Sequence, residues 1–119
     1  MIAVVDDEES VRKAVVRVLQ AAGLTARAYA SGTSFLESWR FDRPECLILD
    51  LQMSGLSGTD VQRSLRMAGA SFPVVIISAH DSPSVREECI SAGATAYLRK
   101  PLDIRALVEA VSLHPSPAA

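Results

Sequence analysis

Two kinds of segment alternate along the chain. The first kind is short, apolar and rich in β-branched residues: Ile2-Ala3-Val4-Val5, Cys46-Leu47-Ile48-Leu49 and Val74-Val75-Ile76-Ile77. Uninterrupted apolar runs of this length suit strands buried on both faces of a parallel sheet. Two weaker segments read as edge strands. Thr25 to Tyr29 alternates, with Thr25, Arg27 and Tyr29 on one side and Ala26 and Ala28 on the other, and Ala96-Tyr97-Leu98 is short. The second kind has helical period. Val11, Val15, Val18, Leu19 and Ala22 form one stripe, and Gly23 follows as a stop. Ser31 is placed to cap a helix carrying Phe35, Leu36 and Trp39. Val61, Leu65 and Ala68 precede Gly69; Ser82-Pro83 opens a helix that ends at Gly93; Asp103 caps a last helix with Ile104, Leu107, Val108 and Val111. A strand–helix unit repeated about five times predicts a doubly wound α/β domain, an open parallel sheet with helices on both faces. That domain is expected over residues 1–111, with the Pro-containing segment 112–119 as a linker or tail.

Length and charge narrow this picture. A chain of 119 residues makes one compact domain that buries a core without disulfides or metal staples. The formal net charge of −2 gives no basic footprint for direct nucleic-acid contact. No apolar run approaches the roughly 18 residues of a membrane span, and the N-terminus lacks a signal-peptide pattern. Cys46 and Cys89 lie far apart without a CxxC partner, so they are read as reduced core thiols of a cytoplasmic protein.

In open α/β sheets, ligands bind outside the carboxyl ends of the strands. The first strand ends in Asp6-Asp7-Glu8, the third in Asp50, the fourth in Ser78 and the fifth in Lys100-Pro101. Any one of these is ordinarily a cap or turn residue. Four at corresponding ends of different strands are harder to assign to capping. Carboxylates held together repel one another unless a cation or proton sits between them, and hard oxygen ligands suit Mg²⁺. A metal beside a carboxylate nucleophile, a lysine and a hydroxyl is an arrangement for phosphoryl transfer. His80 and His114 are lone histidines, read as solvated or structural, and Glu8 is read first as a helix-start residue.

At these residues the sequence resembles the response-regulator receiver family. The resemblance runs to about Val111. It rests on Val4-Val5-Asp6-Asp7-Glu8, on Leu47-Ile48-Leu49-Asp50-Leu51-Gln52-Met53 followed by Gly55 and Gly58, on Val75-Ile76-Ile77-Ser78-Ala79, and on Gly93-Ala94 leading to Tyr97-Leu98-Arg99-Lys100-Pro101. It implies a flavodoxin-like sheet of order 2-1-3-4-5, with Asp50 as phosphoacceptor. Asp7 is implied as the direct Mg²⁺ ligand, Asp6 as its partly water-mediated neighbour, and Asp50 and the backbone carbonyl of Gln52 as further ligands, Mn²⁺ being the alternative ion. Ser78 matches the switch hydroxyl, Lys100 the phosphoryl-pairing lysine, and Tyr97 the aromatic that turns inward on phosphorylation. Lys100-Pro101 resembles the family's cis peptide, and Ala79 is small, as access for phosphate requires. Two departures are mild. Ser78 stands where threonine is frequent, and Ser54 where proline is frequent, which should loosen the loop after Asp50. The implied partners are a histidine kinase or phosphotransfer protein, a downstream effector domain, and a second copy on phosphorylation.

Two other classes share parts of this pattern. A Mg²⁺-dependent phosphohydrolase also uses a strand-end aspartate, but usually needs a second aspartate two residues on, where Gln52 stands, and a cap domain. A flavodoxin needs a Ser/Thr/Gly-rich phosphate loop after the first strand, where Asp6-Asp7-Glu8 would repel phosphate. The expectation is therefore a signalling module that assists its own phosphorylation and turns over no outside substrate.

Overall fold

The apolar runs form the centre of a single sheet. The structure, a computed structural model, describes residues 1–80 and 82–112. In chain order the elements are β1 (Ile2–Val5), α1 (Glu9–Ala21), β2 (Ala26–Tyr29), α2 (Gly32–Ser38), β3 (Cys46–Asp50), α3 (Gly58–Met67), β4 (Val74–Ser78), α4 (Pro83–Ser91), β5 (Ala96–Arg99) and α5 (Ile104–Ser112). The strands lie in the order β2-β1-β3-β4-β5, and every pairing is parallel. This is the flavodoxin-like order. β1, β3 and β4 are buried throughout, whereas β2 and β5 are the half-exposed edges that their weaker patterns predict.

Because successive side chains of a strand point to opposite faces, each central run feeds two cores. Ala3, Val5, Leu47, Leu49 and Ile76 meet Phe35, Val61, Leu65 and Cys89 of α2, α3 and α4. Ile2, Val4, Ile48, Val75 and Ile77 meet Val15, Leu19 and Leu107 of α1 and α5. Cys46 and Cys89 are free and buried, as expected, and burial pushes the Cys46 thiol up to about 12.

Local chemistry fixes the helix ends. Ser31 and Ser82 accept from the backbone N–H groups of Ser34 and Val85, and Pro83 opens α4. Asp103 accepts from Ala106 N–H at 3.0 Å. At α3 a full capping box forms, unforeseen from the sequence: Ser57 accepts from Asp60 N–H while Asp60 accepts from Ser57 N–H. α5 ends at Ser112, one residue past the boundary expected at Val111. The linker expected beyond it, with His114, falls on residues 113–119, outside the described residues.

Candidate functional site

Parallel pairing gathers the strand ends. Val5 pairs with Leu49, Asp50 with Ile77 and Ser78 with Arg99, so Asp6, Asp50, Ser78 and Lys100 leave the sheet along one edge. Asp6 and Ser78 are fully buried and Asp50 is 4% exposed, whereas Asp7 is exposed. One carboxylate oxygen each from Asp6, Asp7 and Asp50 lies within 4.8 Å of the others. Lys100 Nζ donates to Asp6 Oδ2 at 3.1 Å and stands 3.4 Å from Asp50 Oδ1. The Lys100–Pro101 peptide is cis, as the resemblance implied.

The electrostatics follow from this crowding. Burial, then the negative charge of Asp6, raises the Asp50 carboxyl from its ordinary 3.8 to about 6, against the opposing pull of Lys100. Burial alone would lower the Lys100 ammonium. The bond to Asp6 and the charge of Asp50 outweigh it, and the net shift is upward. The group is thus a strained set of anions with one cation among them.

The remaining expected residues fall around this set. The Gln52 side chain is exposed, and its backbone N–H favours the charged form of the Asp50 carboxyl, opposing part of the upward shift. Ala79 is exposed beside Ser78. The Ser78 hydroxyl turns to its own loop and accepts from His80 N–H at 3.1 Å, while Tyr97, buried, donates its hydroxyl to the His80 carbonyl at 3.0 Å. His80 itself is exposed, in line with its reading as solvated, yet both of its backbone polar groups are tied to expected site residues.

Three supports were not read from the sequence. Arg12 Nη1 donates to the Asp6 carbonyl at 2.8 Å, from one turn inside α1. Ser54 N–H donates to Asp7 Oδ2 at 2.9 Å, bridging two loops. A Cβ on Gly58 would lie 2.7 Å from Asp50 O and from Leu51 Cα, so the start of α3 presses against the backbone of the Asp50 loop. Gly58 carried a signal, a glycine inside the cap region of a helix. Arg12 and the Ser54 amide carried none, because each acts through a backbone atom.

The donor set fits a hard divalent cation. Three carboxylates converge, one has its acidity weakened first by burial and then by its neighbour Asp6, and no soft ligand is among them. A doubly wound sheet with this acidic edge, a hydroxyl and a lysine defines a class of phosphoacceptor signalling domains. The chain belongs to the response regulator receiver domain family, whose model matches residues 2–112. It is similar to the response regulator MprA of Mycobacterium ulcerans (strain Agy99), with 39% identity over 107 residues, covering 90% of this chain and 46% of that protein. The chain thus spans about half the length of the curated relatives it matches. Among solved structures it resembles the response regulator StyR, at 34% identity and a TM-score of 0.87, covering 95% of this chain and 57% of that one. It also resembles FixJ-N, at 30% identity and a TM-score of 0.84, covering 95% and 93% of the two chains. No helix among the described residues is long and apolar enough to cross a membrane.

Proposed function

We propose that Asp50 accepts a phosphoryl group from the phosphohistidine of a kinase or phosphotransfer protein, and that the modified domain changes its surface to control an output. The observation that carries this reading is the Asp50 carboxylate itself. It is buried at the end of a central strand, with Lys100 at 3.4 Å and two more carboxylates within 4.8 Å. An Asp50 oxygen attacks phosphorus, the P–N bond breaks, and the departing imidazole keeps the electron pair and takes up a proton. Asp6, Asp7, Asp50 and the Gln52 carbonyl are the groups that would hold Mg²⁺ or Mn²⁺, which would supply positive charge to the phosphoryl oxygens when bound. Lys100 neutralises another of those oxygens. Ser78 gives its hydroxyl to the phosphoryl group, Ala79 leaves the approach open, and Tyr97, already buried with its hydroxyl on the His80 carbonyl, keeps that inward place as the Ser78 loop shifts. The domain assists its own phosphorylation and dephosphorylation but has no outside substrate. We place it in the cytoplasm, acting on an effector domain or a second copy.

Intact mass after incubation with acetyl phosphate tests this. Wild type gains one phosphoryl group in Mg²⁺ and none in chelator, and Asp50→Asn gains none. A modified Asp50→Asn protein, or a gain indifferent to chelator, would falsify the assignment.

A further inference from the structure

The carboxylates of the site are not equally held. Asp6 is buried and fixed at several points: Oδ1 accepts from Glu8 N–H at 2.9 Å, Oδ2 from Lys100 at 3.1 Å, and its carbonyl from Arg12 at 2.8 Å. Asp50 belongs to a strand and is gripped by its ladder. Asp7 is different. It lies in the loop between β1 and α1, it is exposed, and among the described residues its carboxylate takes one hydrogen bond, from the Ser54 backbone N–H at 2.9 Å. Like charge on Asp6 and Asp50 repels this side chain, and an exposed carboxylate has free rotamers that carry it into water. Yet its oxygen stays within 4.8 Å of theirs.

We infer that the Ser54 backbone N–H is a positioning group that holds the Asp7 carboxylate in the metal site before the cation arrives. The inference rests on Asp7 being a ligand, as proposed above. The bond uses one oxygen of Asp7 and leaves the other, with its lone pairs, free for a cation. It also spans 47 residues of sequence, so it pins the β1–α1 loop to the loop after Asp50. Gly55, with φ of 76°, turns the chain immediately after Ser54, a conformation that glycine adopts without strain. Because the donor is a backbone N–H, residue type matters in an unusual way. Any amino acid except proline keeps the bond, and proline deletes it while stiffening the loop. A serine at position 54 therefore trades loop rigidity for a hold on the metal ligand, and the loosening expected from the sequence is offset by this tether.

Two measurements test it. Amide exchange by NMR in metal-free protein reads the bond itself: the Ser54 amide exchanges about tenfold faster in Asp7→Ala than in wild type. Calorimetric Mg²⁺ titration reads its effect: Ser54→Pro binds roughly three- to tenfold more weakly than Ser54→Ala, which retains the N–H. Unchanged Ser54 exchange in Asp7→Ala overturns the inference even if Ser54→Pro fails to fold. So does a Ser54→Pro protein that binds Mg²⁺ as tightly as Ser54→Ala. Wild type that binds no Mg²⁺ overturns the ligand role of Asp7 along with it, a result distinct from wild type that binds while the two variants do not differ.

Discussion

At Asp50, burial penalises the free carboxylate. Its pKa of about 6, against an ordinary 3.8, means that the folded state holds a proton the unfolded chain has released. Stability that depends on this group is therefore fully present below pH 3.8 and is lost as pH rises through about 6. The shift corresponds to something on the order of 2–3 kcal/mol. Asp50→Asn imitates the protonated side chain, so in chelator it should match wild type near pH 4 and exceed it at pH 7. Urea unfolding of both proteins across that range checks this, and a gap that does not change with pH is the contrary result. The position of Asp50 was legible because it ends its strand where Asp6-Asp7, Ser78 and Lys100 end theirs; alone it would read as a cap or turn residue. What could not be read was how its neighbours are held. The Arg12 guanidinium reaches a backbone carbonyl, which no spacing of side chains marks, and Ser54 acts through its amide, where side-chain identity leaves no trace.

At the level of elements, the least anchored helix adjoins the site. Among the nine residues of α4, Cys89 alone is fully buried. Beyond that contact, the helix is tied by half-buried Val85 against the core, by the Gln62 amide, which donates to the Cys89 carbonyl at 3.2 Å from inside α3, and by the loop that Ser78 and Tyr97 grip at His80. The sequence located α4 through its Ser-Pro start and its glycine stop. It did not show that a buried glutamine of α3 would reach across to it, since Gln62 lies beside Val61 on what reads as the polar flank of that helix. A helix so lightly held is suited to move. One hydrogen bond to a charged group contributes about 1.5–3 kcal/mol, and driving a two-state element from 1:99 to 99:1 takes about 5.5 kcal/mol. Under the proposed function, either Ser78 and Lys100 act together on phosphorylation or the unphosphorylated protein already samples the active state appreciably. Ser78→Ala should still accept a phosphoryl group but lose most of the response of α4, β5 and α5. NMR shifts with beryllofluoride in place of the phosphoryl group report that response, and an equal response in both proteins removes Ser78 from the coupling. The start of α3 is the opposite case, a rigid contact. Gly58→Ala forces a Cβ into the Asp50–Leu51 backbone and should cost about 1–3 kcal/mol by urea unfolding, with slower phosphorylation.

Across the whole molecule, the architecture was the most legible feature, because three uninterrupted apolar runs can be satisfied only by strands covered on both sides. The sheet they form holds Asp6 and Asp50 rigidly near Asp7, so the fold carries the cost of their mutual repulsion as a global property. A cation that binds the folded state and ignores the unfolded chain relieves that cost. At a concentration 100 times its dissociation constant it adds about 2.7 kcal/mol of stability. For a domain of this size, that corresponds to a rise in Tm of roughly 8–15 °C. Asp7→Asn separates the two contributions. It removes one of the repelling charges, so its Tm in chelator should exceed that of wild type, and it removes a ligand, so its gain with Mg²⁺ should shrink to a few degrees at most. Scanning calorimetry of both proteins, with Mg²⁺ and with chelator, gives all four values in one buffer. An Asp7→Asn protein that keeps the full Mg²⁺-dependent rise would take Asp7 out of the ligand set. One whose Tm in chelator falls below wild type would show that repulsion from Asp6 and Asp50 is not the dominant effect at that side chain.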